Sequence, residues 1–265
     1  MLDVHPPHAP THTWRDFLIH IATIVVGLII AVGLEQTVEY LHHRHQVHEL
    51  REALRQEREE NRKIYLVNVA QYRVNRATLE NDLRIFLYLR QHPGTPEEKL
   101  PGIPSWAIPY ESTVTAAWKN AQQTQTLSLL SRQENEEDAQ FYDLLDKSEQ
   151  AANQAAVSAF QVGDYAFADP DPSHLTPAQV EKKIEAIQDL MYTNWGWAVW
   201  LGHLGDDHQD FAKNILSWQE VDAANPSFRS AQDKARLAAA AAQTQQTLAA
   251  AMAALKETHK TTGVH

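Results

Sequence analysis

No cysteine occurs in the 265 residues. That excludes a disulfide framework, thiol catalysis, iron–sulfur clusters and cysteine-type zinc sites. Glycine is scarce, with nine residues, which argues against Gly-rich phosphate loops and turn-dense all-β folds. Segments of strand-like alternation are missing as well. Basic residues are outnumbered, 23 Lys+Arg to 34 Asp+Glu, for a net charge of −11. An acidic chain is a poor match to a phosphate backbone, so no nucleic-acid partner is expected. Ser-x-x-Lys, His-Glu-x-x-His, Walker-type and Gly-x-Ser-x-Gly motifs are all lacking. Neither enzymatic activity nor a cofactor is expected.

One uncharged apolar run dominates what is present. Phe17 to Leu34, FLIHIATIVVGLIIAVGL, is interrupted only by His20 and Thr23. As a helix it covers about 27 Å, close to the hydrocarbon thickness of a bilayer. Trp14 and Arg15 precede it and Tyr40 and Arg44 follow, in the positions of interfacial anchors. A cleaved signal peptide would need a basic start, a shorter apolar stretch and a small-residue cleavage site. The chain instead starts MLDVHPPHAPTHT and passes from Leu34 into charged sequence. A single transmembrane helix over 14–41 follows, behind a short polar tail, 1–13, with the lipid bilayer as partner. Thr23, Gly27 and Ala31 recur every four residues, a small-residue ridge that lets two membrane helices approach closely. This suggests a homo-oligomer joined through the membrane helix.

The helix is expected to outlast the membrane, because neither Pro nor Gly occurs between Gly33 and Pro93. Residues 42–63 carry six Lys/Arg and five Asp/Glu, the pattern of a solvated stalk. Residues 64–258 read as an antiparallel helical bundle. Five prolines between Pro93 and Pro109 mark a loop, with a short turn expected at Ser105 to Ile108. Helices are expected from Glu111 to Gln125, from the capping box Ser131–Glu134, and from Thr176-Pro177-Ala-Gln179. Gly202 and Gly205 suggest a kink in the last of these. A further helix is expected to start at Asn225-Pro226, with an Ala-rich body from Ala235 to Leu255. Residues 259–265 are expected to fray. The fold class is all-α.

Trp14 to Gln46, WRDFLIHIATIVVGLIIAVGLEQTVEYLHHRHQ, resembles a group of uncharacterised bacterial membrane-anchored proteins. In these a membrane helix with a Gly/Ala-containing core runs directly into a charged helix. Trp118, Ala121, Leu127, Leu129 and Tyr142 resemble the Trp/Ala/Leu/Tyr pattern of that group's helical domain. The resemblance implies a single-pass protein of the bacterial inner membrane and carries no assigned activity. Members often have more basic residues before the membrane helix, which implies a periplasmic domain. Here Arg15 stands alone before the helix, while Arg44, Arg51, Arg55 and Arg58 follow it, and the positive-inside rule points to the cytoplasm.

Three residue groups are candidates for chemistry. Glu39, His42, His45 and His48 have the i,i+3 spacing of helical metal ligands, and Glu39-x-x-His42 matches half of a di-iron carboxylate unit. His203, Asp206, Asp207, His208 and Asp210 form a second His/Asp group. Trp195, Trp200 and Trp218, with Trp118, could line a ligand cleft between helices. Three function classes follow. They are a non-enzymatic membrane-anchored assembly module, an envelope sensor with a Trp-lined cleft, and a metal-binding oxidoreductase using the histidines.

Overall fold

The computed structural model describes residues 14–167, 169, 171–212, 215–225 and 244–263. The polar tail 1–13, Pro226 with the following residues to 243, and residues 264–265 lie outside them. The described residues are helical without strands.

Helix α1, Trp14–Gln91, is a single unbroken helix of 78 residues, about 117 Å long at 1.5 Å per residue. It ends two residues before Pro93, whose ring cannot continue a helix. Among the described residues the other α-helices are α2 (Ala116–Gln123), α3 (Arg132–Gly163), α4 (Pro177–Asp207), α5 (Gln209–Ala212), α6 (Trp218–Ala223) and α7 (Thr244–Thr262). The capping boxes form as the sequence indicates. Ser131 and Glu134 cap α3, and Thr176 and Gln179 cap α4 with Pro177 at its first position.

The body is assembled on the distal half of α1. Helix α3 runs in the same direction as α1, as the pairs Arg51–Glu134, Arg58–Asp138 and Phe86–Tyr165 show. Helix α4 returns antiparallel, with Arg90 beside Glu181, Tyr72 against Trp197 and Gly205 at Tyr65. Helices α3 and α4 pack along each other, and α7 lies on α1. Two apolar clusters result. The one nearer the N-terminus of α1 joins Leu50, Tyr65, Tyr72, Phe141, Leu145, Trp197 and Leu201. The distal one joins Leu79, Ile85, Phe86, Val162, Ile184, Ile187 and Leu190.

Helices α1 and α3 share a direction because an extended strap, residues 101–115, supplies the return leg. It lies against a polar stripe that α1 carries through its buried half. Asn81 donates to the Ile103 carbonyl (3.2 Å), and Asp82 accepts from the Ser105 N–H (2.9 Å). Asn75 donates to the Pro109 carbonyl (3.2 Å). Asn68 grips Glu111 through both backbone groups, 2.8 and 2.7 Å, and Asn61 does the same to Val114, 2.7 and 2.8 Å. Seven helical residues advance about 10.5 Å and three extended residues about 10 Å, so the two repeats stay in register. On the other side, Thr113 donates from its N–H and its hydroxyl to Glu149 of α3.

Several expectations change for this reason. Nothing turns at Ser105 to Ile108, and the one short 3-10 turn of the loop is at Glu97–Lys99. Helix α2 starts at Ala116 rather than Glu111, because the Glu111 and Val114 backbones are already bound by Asn68 and Asn61. Thr115 makes no cap. The buried Glu57 caps α2 from across the interface instead, accepting from the Ala117 N–H (2.6 Å) and the Trp118 N–H (3.1 Å). That position puts a carboxylate on orphan N–H groups at the positive end of a helix.

The glycines of α4 do not interrupt it. They allow close approach. A Cβ on Gly205 would sit 2.5 Å from the Tyr65 hydroxyl, and one on Gly202 would touch the Trp218 ring at 3.4 Å. Helix α7 stays helical through Thr262, past the point where fraying is expected. Gly263, at φ +68°, ends it, donating to the His259 carbonyl. The start of the Ala-rich body lies outside the described residues.

Candidate functional site

The N-terminal end of α1 has no internal partner. Every residue from Trp14 to Arg44 is exposed, including Ile24 at 66%, Leu28 at 64% and Ile29 at 64%. The most apolar 18-residue window has a mean hydropathy of 2.7 and none of it is buried. An apolar core helix of a water-soluble domain would be covered by its neighbours; this one is not. Among the described residues it is one helix long and apolar enough to cross a membrane.

On that span the ridge of Thr23, Gly27 and Ala31 is open. Nothing lies within 4 Å of where a Gly27 Cβ would stand. The Thr23 hydroxyl is satisfied within the helix, donating to the Ile19 carbonyl (2.9 Å). The ridge therefore presents a smooth surface without an unpaired polar atom.

The histidines that follow the apolar run are not gathered into a metal centre. No group of three or more His, Asp or Glu side chains among the described residues is placed to hold a metal ion. The reason is geometric. Each i,i+3 step falls about 60° short of a full turn. The run Glu39, His42, His45, His48 therefore winds half-way around α1. His45 pairs instead with Glu49 (3.1 Å, i,i+4). The second His/Asp group is also divided. His203 packs edge-on to Trp218 (4.9 Å), with Asp207 at 4.0 Å. His208 turns inward to Phe141 (5.3 Å). The side chain of Asp210 lies outside the described residues.

The four tryptophans do not meet around one cleft. Trp118 is buried and stacks flat on Tyr142 (4.7 Å, 7°). Trp195 donates its indole N–H to the Val221 carbonyl (3.1 Å). Trp200 lies under the Lys147 ammonium (5.3 Å). Trp218 covers Gly202 and donates to Asp206 (3.3 Å). Trp195 borders a cavity of ≈ 10 Å³, room for about one water molecule. The fully buried indole is Trp197, held edge-on between Tyr72 (6.4 Å) and Tyr110 (6.2 Å).

A polar cleft of ≈ 680 Å³ opens where α1, α3 and the α4–α5 turn meet. Arg55, Arg58 and Arg62 form one wall; Glu137, Asp206 and Asp207 stand across from them. Most of these charges are already matched. Arg58 binds Asp138 (2.7 Å) and covers the Phe141 ring (4.2 Å), and Arg55 binds Glu52. Burial and the nearby Arg58 cation hold the His208 imidazole below its ordinary pKa, and its Nε2 is enclosed without a hydrogen-bond partner.

The most perturbed carboxyl lies at the far end of the polar stripe. Asp82 is fully buried in the distal cluster. Burial pushes it up to about 7, and the bonds from Ser105 and Asn81 offset only part of this. Its Oδ2 has no partner. At the proximal end Glu57 also takes the Tyr142 hydroxyl (2.7 Å). Burial and that carboxylate raise the phenol's pKa. These carboxyls and the asparagines between them escape motif reading, because they form no known pattern. The legible signal is polar residues at positions 61, 68, 75 and 82, seven apart, a spacing that keeps them along one side of α1.

Comparison of the chain with family models, curated proteins and solved structures returns no match.

Proposed function

We propose that this chain is a non-enzymatic, membrane-anchored helical assembly protein, a homo-oligomer joined through its membrane helix. Following the resemblance of Trp14–Gln46, it is a single-pass protein of the bacterial inner membrane. One observation carries the reading. The exposed apolar surface of α1 from Trp14 to Leu41 continues without a break into the helix on which the body is built. A removable leader would have to be cut from the middle of that helix. Thr23, Gly27 and Ala31 supply the contact between copies, since small residues allow the backbone packing that drives association in lipid.

The sensor and oxidoreductase readings have less support. The tryptophans are used in separate contacts, and the histidines wind around the helix. The test is the mass of the full-length protein in detergent or nanodiscs. A defined oligomer that Gly27→Leu dissociates supports the proposal. A strictly monomeric particle at micromolar concentration removes it.

A further inference from the structure

Just beyond the apolar span, α1 sorts its side chains by sign. Tyr40, His43, Arg44, Val47, His48 and Arg51 share one face and line one shallow groove. Glu35 and Glu49 lie on the opposite side, since each residue advances about 100° around the axis, and Glu39 lies at one edge, a turn before His43. Glu52, at the edge, is held by Arg55 and Gln56. Residues 35–52 carry two arginines against four glutamates. The segment as a whole therefore repels an anionic surface, and any attraction must come from the one face.

On that face the two arginines differ. Arg51 is committed to Glu134 through two hydrogen bonds, 2.9 and 3.0 Å. Arg44 forms no ion pair among the described residues. It stands ten residues past Leu34, about 15 Å along the axis. Helical side chains lean toward the N-terminus, which here means toward the membrane. The guanidinium thereby reaches back several Å toward the headgroup layer, which extends about 5–8 Å beyond the hydrocarbon.

We propose that this face binds the phosphate of an anionic phospholipid. Arg44 supplies the charge and the paired N–H bonds that fit a phosphate, and Tyr40 and His43 supply flanking donors. The inference rests on reading α1 as membrane-spanning. The full-length protein is reconstituted into vesicles of phosphatidylcholine alone and of phosphatidylcholine with phosphatidylglycerol. Failure to float with either vesicle removes the membrane reading itself. Given flotation, the protein is extracted in mild detergent and its retained lipid is counted by native mass spectrometry. The expected result is preferential retention of phosphatidylglycerol, reduced about five-fold by Arg44→Gln, the change that roughly 1 kcal/mol per basic residue produces. Glu49→Gln, on the opposite face, leaves it unchanged. No preference in the parent protein, or an undiminished one in Arg44→Gln, overturns the proposal. So does a gain in Glu49→Gln as large as the Arg44→Gln loss, which would trace the preference to overall charge.

Discussion

The two halves of α1 are one helix in two environments. From Trp14 to Leu41 the apolar residues point outward all round and nothing covers them. From Ile64 to Leu89 apolar residues are equally dense, and nearly all are buried. The halves differ in where polar groups are permitted. In the outer half the backbone satisfies itself, and from Phe17 to Leu34 the side chains that can hydrogen-bond are His20 and Thr23 alone, a pattern that suits lipid. In the inner half Asn61, Asn68 and Asn75 enter the core because each meets a strap backbone group there. A buried polar side chain is tolerated only when paired, and asparagine is a poor helix former. The stripe is therefore explained by the strap it binds.

The largest way to break this comparison is to charge the outer half. Leu28→Arg should cost about 2.5–3.5 kcal/mol at the centre of a spanning helix. Loss of vesicle flotation with unchanged far-UV circular dichroism of the body is the expected outcome. In the inner half Asp82 offers the next effect. Its folded-state pKa, about 7, lies above the ordinary carboxyl value of 3.8, so the fold favours the neutral acid. Stability is then greatest below pH ~4 and declines as pH rises through about 7, by roughly 2–4 kcal/mol. Denaturant unfolding at pH 5 and pH 8 measures the decline. Asp82→Asn should flatten it and raise stability at the higher pH.

Asn68→Ala deletes both bonds to Glu111 and should cost about 2–3 kcal/mol. Hydrogen exchange should then rise at Glu111, where the strap loosens. Gly205→Ala forces the Tyr65 hydroxyl aside from a 2.5 Å approach, for about 1–3 kcal/mol of overpacking, read as a lower unfolding midpoint. At the small end, Arg132 and Glu136 pair at 2.7 Å with side chains 90% and 59% exposed. Arg132→Ala should move stability by less than about 0.5 kcal/mol. A larger effect would show that the surface of α3 is not free solvent-facing surface.

The elements whose signals are local could be read directly. The long apolar run, the unbroken helix to Gln91 and both capping boxes each depend on residues within a few positions of one another. The expected turn at Ser105 and the start of α2 at Glu111 were misplaced because α1 dictates them from 23 and 43 residues away, through Asp82 and Asn68. The candidate ligands fared less well for the same kind of reason. Spacing along the chain put His42, His45 and His48 on a list of metal ligands, but the helical turn carries them apart. Local density brought Trp195, Trp200 and Trp218 together on paper, yet each finds a different partner.

An all-helical chain with a bare apolar end is thus written into the composition, the missing turn-formers and the hydrophobic period, which act through neighbours a turn or two away. The tertiary structure alone decided that α3 runs beside α1 rather than against it, that a strap lies between them, and that Glu57 caps a helix 60 residues on. Those outcomes rest on backbone groups of one segment finding side chains of another. No short-range pattern encodes such a match until the chain has folded back on itself.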